Sequence, residues 1–195
     1  MSRLSDLLNE IRSLESRVAE EIGKEADQFG YSISRGRVYF ETAIINRHRK
    51  MAMRVRHYLA ECSFMDLLVA PLVYSLIIPV VFFDLFVWFY QLICFSVYGI
   101  PKVRRADYIV SDRHKLRYLN IIERFNCLYC GYVNGFIAYV QEVAARSEQY
   151  WCPIKHAQQM QKSHSRYHDF LPYGDADAYL AELQRLRKQL KEDIN

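Results

Sequence analysis

The motifs that usually betray nucleotide or acyl-transfer chemistry are missing from this sequence. Its 195 residues contain no Gly-rich phosphate loop, no Gly-x-Ser-x-Gly elbow and no set of kinase motifs. No Glu-x-x-His pair occurs either, so a helical di-iron carboxylate centre lacks its ligand pattern. The N-terminus has no apolar core of signal-peptide type. The cysteines are five, Cys62, Cys94, Cys127, Cys130 and Cys152. An odd count without a secretory signal argues against a disulfide framework and for soluble parts that sit in a reducing compartment.

The most informative absence is of charge. From Leu67 to Pro101 there are 35 residues and one charge, Asp84. A bilayer-spanning helix needs roughly 20 apolar residues, so the run is too long for one ordinary span. Pro79 and Asp84 bracket its middle and divide it into arms of about 18 residues, each about 27 Å long if helical. That is close to the roughly 30 Å hydrocarbon core, and it predicts a helical hairpin over 63–101, crossing twice or dipping in and returning. Basic residues mark both flanks: Arg47, Arg49, Lys50, Arg54 and Arg56 before, Lys102, Arg104 and Arg105 after. Positive flanks stay on the cytoplasmic side, so a hairpin puts both there. The expectation is an inner-membrane protein with both termini cytoplasmic, its basic residues against anionic lipid. Because these residues abut the apolar run, nucleic acid is the weaker reading. Trp88, Tyr90, Tyr74 and Tyr98 suit interfacial anchors. Asp84 could reach water at the hairpin tip, handle a proton or ion, cap a helix, or pair internally with a flank arginine.

The rest of the chain reads as helix, for a mainly α fold in four parts: 1–62, 63–101, 102–174 and 175–195. Residues 2–28 are amphipathic, with Ser2 or Ser5 as cap. Leu4, Leu7, Ile11, Leu14 and Val18 form a short heptad seam that could dock on the protein itself or pair in a coiled coil. Gly30 to Gly36 is a break holding a short extended segment, and 38–62 is helical and basic. A helix is expected to start near Ser111 or Asp112, with Leu116, Leu119, Ile122 and Phe125 on its apolar face. Gly131 and Asn134–Gly135 then interrupt the pattern, and a second helix covers Phe136 to Tyr150. Asp175 or Asp177 caps a last helix with Leu180, Leu183, Leu186 and Leu190 at helical spacing, which could pair with the first.

Chemistry is suggested most by Cys127-x2-Cys130 followed by Cys152-x3-His156, the two pairs separated by 21 residues. Two ligands close together on a turn aim at one point, and two such turns close a tetrahedron. Thiolate and imidazole are zinc's preferred ligands, with iron or a mixed-ligand iron–sulfur cluster as the alternative. A redox dithiol or ordinary buried thiols are the competing readings of the first pair. Glu123 and Glu148 each precede a cysteine by four residues. On continuous helices they would share its face, as outer partners or alternative ligands; Glu142 could join them. The plainer reading pairs such glutamates with Arg124 or Arg146 on a solvated face. His164 and His168, four apart, read as surface residues more than as ligands, and His48 and His57 as part of the basic stretch.

The segments YGIPKVRRADYIVSDR, YLNIIERFNCLYCGYVNG and EQYWCPIKHA resemble a family of uncharacterised bacterial membrane-associated proteins. That resemblance implies a membrane location and a Cys-rich module, and no reaction. The knuckle CLYCG is also similar to those of zinc ribbons and rubredoxins, from which this chain departs in its Cys-x3-His second half. These readings converge on a membrane-anchored metal-binding protein, zinc first, with a structural or interaction role and a partner or second copy held through the terminal helices. Two rivals remain open. One is a membrane redox or metal-dependent enzyme, in which Cys152 or the dithiol reacts and Glu123 or Glu148 moves protons. The other is a lipid-binding hairpin that shapes membranes.

Overall fold

In a computed structural model the apolar run is one helical rod. It comprises α4 (Phe64–Ser75), α5 (Ile77–Tyr90), a π-helical turn (Gln91–Phe95) and a last turn, α6 (Ser96–Tyr98). The description covers residues 3–34 and 37–192, without the side chains of 3–9, 11, 12, 15 and 37. Ser63 opens the rod with a capping box: its hydroxyl accepts from Met65 N–H, and Asp66 accepts from Ser63 N–H. Only Leu76 interrupts it, itself in right-handed helical conformation. Pro79 has no N–H for the carbonyl of Ser75, four residues back, and this explains the break there. The turn expected around Pro79 to Asp84 is absent, because residues 77–90 are α-helical; the run folds as a rod where two arms were expected. Gly99, in left-handed conformation (φ 66°), ends it. Ile100 N–H then reaches back to Phe95 C=O at 2.9 Å, the Schellman arrangement, and Phe95 and Ile100 are both buried.

The second long helix, α7, runs from Ile121 to Trp151. Asn120 caps it: its side-chain oxygen accepts from the N–H groups of Ile122 and Glu123 at 2.9 and 3.0 Å, while Glu123 accepts from Asn120 N–H at 2.7 Å. The start near Ser111 or Asp112 is thus corrected to Asn120, an Asn-x-x-Glu box. Gly131 and Asn134–Gly135 do not interrupt the helix. Gly135 is there because something passes over it: a Cβ at this position would lie 2.7 Å from Tyr108 O and 2.9 Å from Ile109 Cα.

The chain divides into two units, unlike the four parts expected from sequence: residues 1–61 with 112–125, and 62–111 with 126–195. In the first, α1 (Arg3–Phe29) leads into an antiparallel hairpin, β1 (Tyr31–Ser34) with β2 (Arg37–Phe40), then α2 (Thr42–Met51) and α3 (Val55–Glu61). Aromatic contacts link Tyr31, Phe40, His48 and Tyr118 in series. Of the expected heptad seam, the side chains of Leu4, Leu7 and Ile11 and the Ser2 and Ser5 caps lie outside the described residues. Leu14 and Val18 are exposed.

In the second unit the rod and α7 lie parallel. Partners along the pair (Val73 with Tyr129, Asp84 with Tyr132, Gln91 with Tyr139, Tyr90 with Ser147) stay 48 to 57 residues apart, whereas antiparallel helices would show a steadily changing offset. Parallel neighbours need a connection that travels back. The segment after Gly99 does so: Val103 meets Gln91 and Arg105 meets Asp84, and Tyr108 and Ile109 reach Gly135. The core is where the rod, the connector, α7 and the last helix meet, with Val87, Phe95, Val103, Phe136, Tyr139 and Leu190 buried together. Leu190 belongs to α8 (Tyr179–Glu192), whose Leu183 and Leu186 are also buried. That face is used inside the unit, and Leu180 is exposed.

Gly135→Ala is expected to destabilise the second unit by about 1–3 kcal/mol through overpacking against the connector backbone, despite the gain of about 1 kcal/mol in helix propensity. Gly23→Ala, with no atom within 4 Å of the added carbon, should be neutral or stabilising. Chemical denaturation of the two variants checks this.

Candidate functional site

The helix pair is seamed by polar contacts, buried at Gln91–Tyr139 and exposed at Tyr129–Val73 and Tyr90–Ser147. From α7, the hydroxyl of Tyr129 donates to Val73 C=O at 2.8 Å, Tyr132 donates to Asp84 at 2.7 Å, and Tyr139 meets the Gln91 amide. Asn126 receives the hydroxyl of Tyr74. Tyr90 and Ser147 bond at 2.9 Å. These α7 positions fall three to eight residues apart, along one side of the helix. Their phenols bury ring area and still satisfy their hydroxyls.

Asp84 is the centre of the seam. It is 6% exposed, and its Oδ2 takes both Tyr132 and Arg105 Nη2, each at 2.7 Å. Among the described residues its Oδ1 has no hydrogen-bond partner. Of the roles open to Asp84 in the sequence, the structure realises the internal pair with a flank arginine. Burial, then the hydrogen bond to Asp84, pushes the Tyr132 phenol up to about 12. Gln91, at the start of the π turn, accepts from Val103 N–H at 2.7 Å and so holds the connector a second time.

The sequence-predicted ligands are not brought together. Cys127 and Cys130 lie inside α7, and Cys152 follows its last residue. An unbroken helix places Cys152 about 33 Å along the axis from Cys130, and no group of three or more Cys, His, Asp or Glu side chains capable of holding a metal occurs among the described residues. The two-turn geometry that a tetrahedral site needs is absent, so Cys127, Cys130, Cys152 and His156 of one chain do not fit a shared zinc or iron. The reason is the uninterrupted helix across Gly131 and Gly135. His156 stacks on Tyr167, and all five thiols are free.

The two glutamates have other partners. Glu123 belongs to the Asn120 cap, and Glu148 meets His164 at 3.0 Å. Glu142 joins Arg146 at 2.8 Å and Arg166 at 3.0 Å in a largely buried network, not the solvated face expected for it. Arg146 also donates to Pro101 C=O, and Arg166 to Gln149. His164 is mostly buried while His168 is exposed. Of the basic flank residues, Arg105 is tied to Asp84, whereas Lys102 and Arg104 are exposed.

The outward surface of the rod is a different environment. Leu72, Phe82, Phe86 and Val97 are 60–73% exposed, and the stretch Phe64–Tyr98 is the one helix among the described residues long and apolar enough to cross a membrane. The sequence reading missed the tyrosine stripe of α7, although Tyr129, Tyr132 and Tyr139 at helical spacing were its signal.

No family model, no curated protein and no solved structure matches the chain. Functional reading therefore rests on geometry.

Tyr132→Phe should cost about 1–2 kcal/mol, since it strips a buried carboxylate of one donor. The raised phenol pKa means that this stabilisation is complete below about pH 10, the unfolded value, and is lost as pH rises through about 12; a denaturation series from pH 8 upward checks the window. Separately, Cys127→Ser and Cys152→Ser are expected to leave metal content and unfolding midpoint unchanged. Elemental analysis showing one metal per wild-type chain, lost in both variants, would contradict this.

Proposed function

We propose that the protein is a membrane-embedded helical protein with a structural or interaction role, held in the bilayer by the rod Phe64–Tyr98. One observation carries the proposal. Most of the rod's circumference is apolar and uncovered, with Phe86 at 71%, Leu72 at 73% and Val97 at 73% exposure. Its inner stripe of Asp84, Val87, Gln91 and Phe95 is buried. A contiguous apolar patch of this extent is rare on a soluble monomer and marks a lipid or protein contact. Lipid is the better occupant, because the exposed surface continues along a helix whose length and hydropathy suit a bilayer.

A metal shared by Cys127, Cys130, Cys152 and His156 of one chain loses support here, because Cys152 follows α7 about 33 Å along the axis from Cys130. Cys127 and Cys130, about one turn apart on α7, keep the dithiol reading as the rival. A partner role remains for α1, whose Leu14, Val18 and Ile22 are exposed in a line. The basic residues Arg47, Arg49, Lys50, Arg54 and Arg56, which precede the rod in sequence, suit anionic lipid, each contributing about 1 kcal/mol near a charged surface.

Full-length protein is expected to stay with the membrane pellet after an alkaline carbonate wash. Leu72→Glu with Phe86→Glu should shift it to the supernatant without loss of helicity. A wild-type chain that is a monodisperse monomer without detergent would end the proposal.

A further inference from the structure

Resting on that membrane reading, we infer that the rod lies in the plane of one leaflet and does not cross the bilayer, its connector side facing the headgroups of an anionic surface. The midpoint of Phe64–Tyr98 is Val81, and Asp84 lies one turn from it. The connector returns to this level, because Arg105 is bonded to Asp84 at 2.7 Å. The residues around it point outward. The side chain of Arg104 is 80% exposed and that of Asp107 is 55% exposed, Arg105 itself is 43% exposed, and Lys102 is exposed. A rod crossing with its midpoint at the bilayer centre would carry Arg104, Arg105 and Asp107 into the hydrocarbon, on a segment of irregular backbone. Lipid-exposed irregular backbone does not occur at that depth, and charges there are among the costliest placements a membrane protein can make.

Laid flat, the same unit has two unlike sides. The open groove between α5 and α7 is lined by Phe83, Phe86, Val87, Val140, Val143 and Ala144, and its one polar pair, Tyr90 with Ser147, satisfies itself. That side suits acyl chains. The connector side carries Lys102 and Arg104, which suit phosphate headgroups, with Asp107 3.9 Å from Arg104. Large apolar area on one side and cations on the other are the marks of an interfacial element buried about 5–10 Å into the boundary. Flat insertion also keeps the basic residues before and after the rod on one side of the membrane without any hairpin.

The test uses the full chain with its two tryptophans (Trp88 and Trp151) changed to Phe and Phe82→Trp as the single reporter, bound to vesicles of equimolar phosphatidylcholine and phosphatidylglycerol. Phe82 neighbours the midpoint and is 60% exposed. Lipids brominated near the glycerol end should quench it more strongly than lipids brominated near the chain ends. Stronger quenching by chain-end bromines means crossing and overturns the inference while leaving membrane embedding intact. Failure to bind or be quenched at all means that another chain or water covers the face, and both readings fall. In the native background, Lys102→Gln with Arg104→Gln should weaken binding to the anionic vesicles roughly 25-fold, from about 5-fold per basic residue, and leave binding to pure phosphatidylcholine unchanged. Equal losses on both vesicles would remove the headgroup role of the connector.

Discussion

A carboxylate in the middle of an apolar helix has to find partners, and in this protein it finds them from two different parts of the chain. Asp84 takes Arg105 from the connector and Tyr132 from α7. Burying the charge alone would be prohibitive, so the ion pair and the phenol are conditions for that stretch of helix to pack at all. Their consequence is topological. Arg105 can reach Asp84 only if the chain reverses at Gly99 and travels back along the rod, and once it has done so, the following helix must run parallel to the first. Gln91, placed two turns beyond Asp84, fixes the same strand of connector through Val103. Gly135 on α7 leaves the room in which that strand passes.

The polar seam also separates the two faces of the unit. Hydroxyls and amides of Tyr132, Tyr139 and Gln91 are used up inside the helix pair, and the exposed hydroxyls of Ser75 and Ser96 bond the rod's own carbonyls. Near the rod's midpoint the exposed charges Arg104, Arg105 and Asp107 sit on the connector; others lie on α8, at Arg185, Lys188 and Glu192. Division of this kind is what an interface between water and hydrocarbon demands, where backbone and charge must stay on the wet side or be satisfied internally. At the other end, Glu142 with Arg146 ties α7 to Pro101 C=O and to Arg166, which also donates to Gln149 of α7, and the guanidinium of Arg187 lies over Tyr150, 4.6 Å from its ring centre. That end is polar and closed by α8.

Several features were readable from residues alone because their causes are local. The apolar run, its basic flanks and a last helix with a leucine face follow from composition and periodicity, which depend on neighbours a few residues apart. The internal pair of Asp84 with a flank arginine was one of four open roles; choosing among them required knowing where residue 105 goes. The four expected metal ligands are not brought together within one chain for a similar reason. Spacing places two ligand pairs on turns only if a turn exists, and Gly131 and Asn134–Gly135 suggested one. Tertiary contact overrode that local preference: Gly135 serves a close backbone approach, and the cost of glycine within a helix, about 1 kcal/mol, is outweighed by packing along both faces of α7. The start of that helix was misplaced because Ser111 and Asp112 are acceptable caps in isolation, whereas Asn120 with Glu123 satisfies two donors at once and in both directions.

By itself the amino-acid sequence determined that a long uncharged stretch would be helical and would seek an apolar environment, since hydropathy and helix length are properties of consecutive residues. Whether that stretch folds back on itself, what its single acid pairs with and which side of it meets water were decided only by tertiary structure. Those outcomes depend on residues 21 to 48 positions away converging on Asp84, and no short-range pattern encodes the path by which they arrive.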